Sequence, residues 1–494
     1  MRRRLIAASI VALFVIQAII RFRSDIHHDV AWYLYIAGGL LHGKHLYTDF
    51  LEVNPPLGIW LTLPAVWLGS LTGLGSIKVF YSVLLALTAG SLLLVNRYLR
   101  LVRDVPGTER AMLCVFIAAV ILFMPAMDFA EREHLMVLLF LPWPFLRFAR
   151  SRGAQPGLAE AAIVGLMAAM AICIKPQSLL APLGVELVLL LRFRNFRGLF
   201  AVENVAAAAF ALLYGAAIII FEPNFLETIM PLGVNAYVPF YGYANSMIWL
   251  FSLHSVLLVG FAVFLWRRTE GPLADIAALL GAAALGFILS YFIQYKGFQY
   301  QILPARIFAG IACAAAVSGI VAQMPFARWL PATKFLVAMS VFTVAVDFGL
   351  QRQAYPDNGG IFDSGIARYA PKARSIFIAS TQVSHGFPFT LNRNFVWASR
   401  FPTQWLTPYV ASKWQAGTLP SDGIVAHALD WTVSDLVAFH PDIIFIDESS
   451  KQLYVPGGRF DYLKFWANDP RFELLWMGYE RRASMNGFAV YTAR

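Results

Sequence analysis

Long uninterrupted apolar segments are the feature of this chain that most restricts its fold. A helix needs about 20 apolar residues to cross the hydrocarbon core of a bilayer. Segments of that length recur before residue 351, among them 77–96, 111–127 and 202–221. Hydrophobic residues make up 59% of the 494 positions and charged residues only 14%, which is not the balance of a soluble globular chain. We therefore expect a polytopic α-helical membrane protein.

The distribution of Arg and Lys orients the predicted helices. The basic start at Met1–Arg4 precedes the apolar residues 5–20 with no small-residue cleavage site before Arg21, which predicts a retained first helix. The later basic clusters all become cytoplasmic if residues 55–72 lie flat at the outer interface, anchored by Trp60 and Trp67. We then expect about eleven spans, at roughly 5–22, 77–97, 111–127, 134–149, 158–174, 177–192, 199–221, 247–266, 272–293, 301–322 and 334–350.

The last part of the sequence predicts a separate soluble domain. From residue 351 onward the long apolar runs stop, and short strand-like segments such as Ser375–Ala379 and Ile443–Asp447 appear between Pro, Gly and Asp. We expect a transmembrane domain over 1–350 and an α/β domain over 351–494, with the N-terminus in the cytoplasm and the second domain in the periplasm of a cell with an inner membrane.

The charge distribution and the cysteine positions argue against a nucleic-acid partner, a disulfide framework and a cysteine-based zinc site. The formal net charge of +10 is divided among short clusters between apolar segments, as topology determinants are, so no nucleic-acid partner is expected. The three cysteines lie inside apolar segments, so neither a disulfide framework nor a cysteine-based zinc site is expected. They are Cys114, Cys173 and Cys313.

A polar motif fills the first predicted outer loop, residues 23–76. Asp29 follows the exit of the first helix and precedes an amphipathic stretch, a position in which Asp is ordinarily a helix N-cap. The same loop continues with further polar and aromatic residues at Tyr33, Gly43, Tyr47, Asp49, Glu52 and Asn54-Pro55-Pro56.

This arrangement resembles the first outer loop of the GT-C class of integral membrane glycosyltransferases. The class includes the aminoarabinose transferases of lipid A and the protein O-mannosyltransferases. The resemblance implies an essential Asp at Asp29 and a sugar donor carried on a polyprenyl phosphate at the outer face. It also implies outer-face juxtamembrane helices and an acceptor in the envelope, which can be a lipid, a polysaccharide or a protein.

Two further outer loops match the same resemblance. Residues 128–134 place Asp128, Glu131, Glu133 and His134 beside a span, either as a helix start with Asp128 as its cap or as additional acidic groups of the site. Lys175 interrupts an apolar run on the outer side, where a lone cation either snorkels or faces the carrier phosphate.

Together these features give a set of candidate site residues. The catalytic candidates are Asp29, Glu131 and Glu133; the donor-phosphate candidates are Lys175, Lys296 and Arg306; the substrate-binding candidates are Tyr33, Tyr47, Asp49, Glu52, Asp128, His134, Tyr241 and Tyr300. No metal is required, and His27 and His28 are the residues that would ligate a divalent ion if one were used.

The resemblance implies an inverting glycosyltransferase that uses a polyprenyl-phosphate sugar. Asp29 would act as general base toward the acceptor, and the cations would neutralise the departing phosphate. An oligosaccharide polymerase or ligase that uses a pyrophosphate-linked glycan is an alternative with the same outer-face chemistry. A lipid or solute transporter is another, although repeated halves and polar groups at the bilayer midplane are not found in the sequence. A scaffold for the outer domain leaves the facing carboxylates and cations unexplained.

Overall fold

The chain forms two compact units in a computed structural model that describes residues 2–194, 196–323, 353–356, 359–414 and 421–494. The first, which we call the helical unit, comprises Met1–Ser24, Lys78–Ala216 and Tyr243–Tyr355. The second, the sheet unit, comprises Asp25–Ile77, Ala217–Gly242 and Pro356–Arg494. Two of the longest predicted outer loops, 23–76 and 222–246, thus contribute most of their residues to the unit that contains the C-terminal sheet.

Helices occupy most of the chain before residue 324. In chain order they are α1 (Arg2–Phe22), α2 (His28–Leu41), α3 (Leu57–Trp60), α4 (Leu63–Thr72), α5 (Ser76–Leu101), α6 (Gly107–Phe123), α7 (Arg132–Phe140), α8 (Pro142–Ser151), α9 (Leu158–Ile174), α10 (Leu180–Phe193), α11 (Val202–Phe221), α12 (Met230–Leu232), α13 (Asn245–Trp266), α14 (Pro272–Gln294) and α15 (Leu303–Gln323).

Seven helices of the described chain are long and apolar enough to cross a membrane: Arg4–Phe22, Ser76–Leu101, Pro176–Phe193, Val202–Phe221, Asn245–Trp266, Pro272–Gln294 and Gln299–Ile320. Each coincides with a predicted span, and the protein is a multi-pass membrane protein. The predicted spans at 111–127 and 158–174 correspond to α6 and α9 of 17 residues each, and 134–149 is divided between α7 and α8. The span at 334–350 lies outside the described residues, so the total of about eleven stays a prediction.

Glycines allow the helices of the helical unit to approach closely. A Cβ at Gly286 of α14 would lie 2.4 Å from the carbonyl oxygen of Leu180, at the start of α10. A Cβ at Gly184 of α10 would lie 2.9 Å from the carbonyl oxygen of Ala282. Helices in lipid gain stability mainly from such close packing, because the apolar surroundings provide no hydrophobic force between them.

A buried ion network joins α8, α10 and α11. The Arg147 guanidinium donates to Glu186 at 2.6 Å and to Glu203 at 2.9 Å, and Arg150 donates to Glu203 at 2.8 Å. Glu203 is fully buried, so its charge depends on these partners for compensation. The network lies near the predicted cytoplasmic loops and is separate from the candidate site residues.

The sheet unit contains a five-stranded mixed sheet of order β2-β1-β3-β5-β4. Its strands are β1 (Ser375–Ala379), β2 (Val396–Trp397), β3 (Ile443–Asp447), β4 (Tyr479–Met485) and β5 (Phe488–Ala493). β1 pairs in parallel with β2 and β3, while β5 pairs antiparallel with β3 and β4. The predicted strands at 375–379 and 443–447 are confirmed residue for residue, because each is a short apolar run buried on both faces.

Helices and a tight hairpin complete the sheet unit. The hairpin between β4 and β5 turns at Asn486-Gly487, both with positive φ, as a two-residue turn of this sequence requires. The described helices that follow α15 are α16 (Gly360–Tyr369), α17 (Val383–Gly386), α18 (Phe389–Asn392), α19 (Thr407–Lys413), α20 (Gly423–Phe439), α21 (Tyr462–Trp466) and α22 (Pro470–Trp476).

The first outer loop is attached to the C-terminal sheet by hydrogen bonds within the sheet unit. The Tyr35 hydroxyl of α2 accepts from the backbone N–H of Trp397 at 2.9 Å. The N–H of Leu51 donates to the carbonyl of Arg400 at 2.7 Å. These contacts join residues more than 340 positions apart, so they fix the loop on the sheet rather than on its neighbours in sequence.

Candidate active site

Lys175 is the centre of a buried cluster in the helical unit. It follows the last residue of α9 with extended φ and ψ, because Pro176 disfavours helical geometry for the residue before it. Its ammonium forms an ion pair with Glu133 and donates to Gln294 Oε1 at 3.1 Å. The ring of Tyr300 lies 5.6 Å from the same nitrogen. Burial lowers the pKa of Lys175, and the Glu133 charge opposes that shift.

Lys296 brings a second cation to the same cluster. It lies on a sharp turn after α14, between Tyr295 and Gly297, both of which have positive φ. Its carbonyl accepts from the N–H of Tyr243 at 2.8 Å. Burial, together with the charges of Lys175 and Arg132, lowers the pKa of Lys296 to about 7. Lys296 therefore lies within electrostatic reach of two other cations, an arrangement suited to an anion.

The acidic loop before α7 folds differently from its simplest sequence interpretation. Glu131, not Asp128, is the N-cap of α7, and its carboxylate accepts from the N–H of Arg132 at 3.2 Å. Asp128 ends a 3₁₀ turn that begins at Ala126. Glu133 lies in the first turn of α7 and is buried, where it meets Lys175.

His134 is engaged by the backbone on both sides of its ring. Its Nε2 lies 2.9 Å from the carbonyl of Ile121, and its Nδ1 accepts from the N–H of Ala130 at 3.3 Å. Its side chain is fully buried. This geometry assigns His134 to holding the acidic loop in place, and a substrate contact would require one of these hydrogen bonds to break.

Arg21 is a further residue of this region, one that the sequence interpretation did not include. It is the next-to-last residue of α1, and its guanidinium donates to the carbonyl of Ala126 at 2.8 Å. It also donates to the carbonyl of Gln353 at 2.8 Å and to Gln353 Oε1 at 2.7 Å. An intramembrane charge at the end of an apolar helix was the available signal.

Arg306 lies one turn into α15 and is largely buried. Its Nε has no hydrogen-bond acceptor in the part of the chain that the structure describes. Asp128 is the acidic residue whose charge acts on it. An additional anion would supply that acceptor, and the role of Arg306 at the donor phosphate stays a prediction.

Asp29 lies in the sheet unit, in the first turn of α2 rather than at its cap. The cap is His27, whose Nδ1 accepts from the N–H of Asp29 at 3.4 Å. The Asp29 carboxylate lies 3.5 Å from His28 Nε2, and 22% of its side chain is exposed. A carboxylate that is not used for capping and is partly open to solvent can accept a proton from a bound hydroxyl group.

The residues that would hold a divalent ion are adjacent in sequence. His27, His28 and Asp29 each offer one ligand atom, and these atoms lie within 4.8 Å of one another. The two imidazole rings are stacked with their centroids 4.1 Å apart. Imidazole and carboxylate groups are ligands that divalent ions such as zinc accept, and the use of such an ion stays an open alternative.

The polar residues later in the first loop hold the loop in shape. The buried carboxylate of Glu52 accepts from Trp32 Nε1 at 2.9 Å and from the N–H of Asn54 at 3.0 Å. The Tyr47 hydroxyl donates to the Asn54 carbonyl at 2.8 Å, and Asp49 accepts from the N–H of His45 at 2.7 Å. Tyr33 is buried on α2.

Tyr241 belongs to an aromatic group of the sheet unit. Its ring stacks on Tyr237 at 4.6 Å and lies 4.5 Å from Tyr454, and its hydroxyl donates to the carbonyl of Thr381 at 3.4 Å. Burial raises the pKa of Tyr241 well above its ordinary value, so the phenol stays neutral. These contacts place the loop that follows α11 against the sheet.

Comparison with solved structures identifies the fold. No protein-family model and no curated protein matches the chain. The structure of ArnT from Cupriavidus metallidurans bound to undecaprenyl phosphate aligns over 99% of this chain and 97% of its own, with a TM-score of 0.58 and 13% sequence identity. The apo form of ArnT gives a TM-score of 0.56 with 14% identity. The chain has the GT-C fold.

A second solved structure supports the same fold. The arabinofuranosyltransferase AftD from Mycobacteria aligns over all of this chain with a TM-score of 0.50 and 13% identity, and the chain spans 40% of AftD. The predicted resemblance to GT-C enzymes and the predicted helical membrane region with a small C-terminal sheet domain are both confirmed. The candidate site residues of this chain are divided between the two units. The helical unit brings together Glu133, Lys175, Lys296 and Tyr300, while the sheet unit contains Asp29 and Glu52.

Proposed function

We propose that the protein is an inverting glycosyltransferase that moves a sugar from a polyprenyl-phosphate carrier to an envelope acceptor. The observation that carries this proposal is the cation cluster of Lys175 and Lys296 in a chain with the fold of ArnT, a protein that was crystallised with undecaprenyl phosphate. Buried cations favour a lipid-linked phosphate over a neutral solute.

In the proposed reaction the acceptor hydroxyl attacks the anomeric carbon of the donor sugar. Asp29 takes the hydroxyl proton, a new carbon–oxygen bond forms, and the bond between the anomeric carbon and the phosphate oxygen breaks. The carrier phosphate leaves with one more negative charge than it had in the donor. Lys175 and Lys296 stabilise that charge as it develops, and in-line attack inverts the anomeric centre.

The remaining candidate residues have supporting roles in this proposal. Glu133 keeps Lys175 oriented through their ion pair, and Glu131 fixes the start of α7. Arg306 and Tyr300 border the carrier phosphate, while Tyr33, Tyr47, Asp49, Glu52, Asp128, His134 and Tyr241 form or support the substrate-binding surface. A divalent ion held by His27 and His28 would supply positive charge beside Asp29.

We also propose that the N-terminus is cytoplasmic and that the sheet unit is periplasmic, on an inner membrane. Residues 25–77 and 217–242 belong to the same unit as the C-terminal sheet, which supports placing all three segments on one side of the membrane. Labelling with a membrane-impermeant maleimide tests this, with the native cysteines replaced by Ser. Lys372→Cys in the sheet unit should react in intact spheroplasts, and Arg103→Cys should react only after lysis.

Transfer by the purified protein tests the reaction itself. The full chain in nanodiscs is incubated with radiolabelled polyprenyl-phosphate sugars and an envelope extract, for the wild type and for Asp29→Asn. The matched control is Asp430→Asn, an exposed carboxylate of the same unit. Wild-type transfer that is lost only in Asp29→Asn supports both the reaction and the base. Transfer only from pyrophosphate-linked glycans would instead support a polymerase or ligase, and undiminished transfer by Asp29→Asn would exclude Asp29 as the base.

A further inference from the structure

An open cavity of about 470 Å³ lies in the C-terminal part of the sheet unit. Its lining includes the aromatic residues Trp414 and Phe460 and the charged residues Arg459, Asp461 and Lys464. The volume is within the range of small-molecule sites, which is about 300–1,000 Å³. None of these residues belongs to the candidate active site, and no sequence motif pointed to them.

The backbone on both sides of Arg459 is held in place by the hydrogen bonds of one buried residue, Gln452. Gln452 donates from its backbone N–H to the carbonyl of Gly458 at 2.6 Å, and its Oε1 accepts from the N–H of Phe460 at 2.7 Å. Both neighbours of Arg459 in the chain are therefore fixed by the same residue. Gln452 is in turn anchored because its Nε2 donates to the carbonyl of Asp447, the last residue of β3, at 2.6 Å.

The charged residues of the cavity lining have an excess of positive charge. Arg459 and Lys464 are exposed, and within the described ranges neither side chain forms an ion pair or a hydrogen bond. Asp461 already accepts from the N–H of Lys464 at 3.0 Å as the cap of α21. The lining thus contains two cations and one carboxylate. The planar Arg guanidinium can donate two parallel hydrogen bonds to two oxygens of a phosphate or carboxylate.

Trp414 adds a donor to the lining. The residue is more than nine-tenths buried, and its ring packs edge-on against Phe460 at 5.6 Å and Phe465 at 5.3 Å. Among the residues that the structure describes, its Nε1 has no acceptor. A buried donor without a partner costs about 1–3 kcal/mol. A ligand oxygen that accepts from this N–H would remove the cost.

We propose that this cavity binds a saccharide that carries an anionic group. Arg459 and Lys464 would bind the anion, Asp461 would accept from a sugar hydroxyl, and the Trp414 N–H would donate to a sugar oxygen. Phosphorylated sugars and uronic acids share this chemistry. Any role of the cavity in choosing the acceptor rests on the proposed function, whereas the binding does not.

Saturation-transfer difference NMR on the full chain in phosphatidylcholine nanodiscs tests the proposal without any turnover. The probes are glucose 6-phosphate, glucuronate, glucose and inorganic phosphate. We expect saturable binding of at least one of the two anionic sugars, and which of them binds identifies the source of the anion. Glucose and phosphate alone should bind at least tenfold more weakly. Equal binding of glucose would overturn the proposal.

Two pairs of variants assign the binding to the cavity. The double variant Arg459→Gln/Lys464→Gln should weaken binding of the anionic sugar at least tenfold, whereas Arg368→Gln/Lys372→Gln, which removes the same charge elsewhere in the sheet unit, should leave it unchanged. Trp414→Phe should weaken it severalfold, while Trp405→Phe, which removes another buried indole N–H without an acceptor, should have no effect. Unchanged binding in the first double variant would refute the assignment, and loss of transfer alone would not bear on it.

Discussion

The ammonium of Lys175 and the carboxylate of Glu133 form a buried ion pair that links the turn after α9 to the first turn of α7. Gln294, the last residue of α14, accepts a second hydrogen bond from the same ammonium at 3.1 Å. The Lys175 ammonium thus connects the ends of three helices, α7, α9 and α14. A pair of this kind has two separable effects, because the two charges compensate each other in the fold while, in the proposed reaction, the cation also stabilises the donor phosphate.

Variants of this pair should separate stability from donor use. Removing one partner of a buried ion pair typically costs about 3–5 kcal/mol, because the other charge stays buried. Lys175→Met should therefore lower the melting temperature and raise the KM for the polyprenyl-phosphate donor at least tenfold. Lys175→Met/Glu133→Gln should recover much of the melting temperature but not the donor KM. Recovery of both in the double variant would show that Lys175 has a structural role only.

Lys296 should make donor binding depend on pH around neutrality. Its pKa of about 7 means that the ammonium is charged at pH 6 and mostly neutral at pH 8. The donor phosphodiester keeps one negative charge over this range, so the change arises in the protein. We expect the donor Kd to weaken by up to about tenfold from pH 6 to pH 8. Scintillation proximity binding of a radiolabelled donor measures it.

The lowered pKa of Lys296 also affects folding stability, which should rise with pH while donor binding weakens. Because the pKa of Lys296 is about 7 in the folded chain and near its ordinary value when unfolded, the unfolded chain binds the proton more tightly. The unfavourable contribution is full below pH 7 and diminishes as pH rises above it. Lys296→Arg, which stays charged, should remove the pH dependence of donor binding. Persistence of the pH dependence in that variant would show that a group other than Lys296 titrates.

Sequence reasoning identified these cations and the strands but not their surroundings. Lys175 and Lys296 could be found because each interrupts apolar sequence on the predicted outer side, and β1 and β3 because each is a bounded apolar run. The engagement of His134 by two backbone groups could not be found, since Ile121 and Ala130 approach it only after folding. The Asn486-Gly487 dipeptide is a hairpin signal that can be recognised in the sequence, although it was not among the predicted features.

The composition of the sheet unit was also beyond the sequence pattern. A boundary near residue 350 follows from the end of the apolar runs, yet Tyr35 and Leu51 pair with Trp397 and Arg400. Hydropathy identifies which residues leave the membrane but carries no information about which emerging segments pair with one another. Such long-range contacts depend on the three-dimensional packing of side chains, which a one-dimensional pattern does not specify.

Glu52 should act mainly on the shape of the first loop. Glu52→Leu leaves the buried Trp32 indole and the Asn54 N–H without acceptors, at about 1–3 kcal/mol each. We expect a lower melting temperature, with most of the loss avoided in Glu52→Gln because the amide oxygen still accepts from Trp32. The donor and acceptor KM values of Glu52→Gln should stay near wild type. A tenfold rise in either KM without a change in melting temperature would instead indicate that Glu52 contacts substrate.

Arg21 should act as a positioning residue for the acidic loop. Its guanidinium fixes the carbonyl of Ala126, a residue held at positive φ, and Gln353, which in turn donates to the carbonyl of Phe123 at 2.8 Å. A Lys at this position keeps the charge but cannot make the same planar set of hydrogen bonds.

Arg21→Lys should therefore lower the kcat of transfer about tenfold or more while the donor KM changes little, since Lys175 and Lys296 remain in place and a small displacement of catalytic groups is enough to cost this much rate. Gln353→Glu offers a matched change, because its carboxylate still accepts from Arg21 but loses the N–H bond to Phe123. It should reproduce part of the kcat effect. If Arg21→Lys changed the donor KM and left kcat unchanged, Arg21 would belong to the phosphate-binding groups and not to the support of the loop.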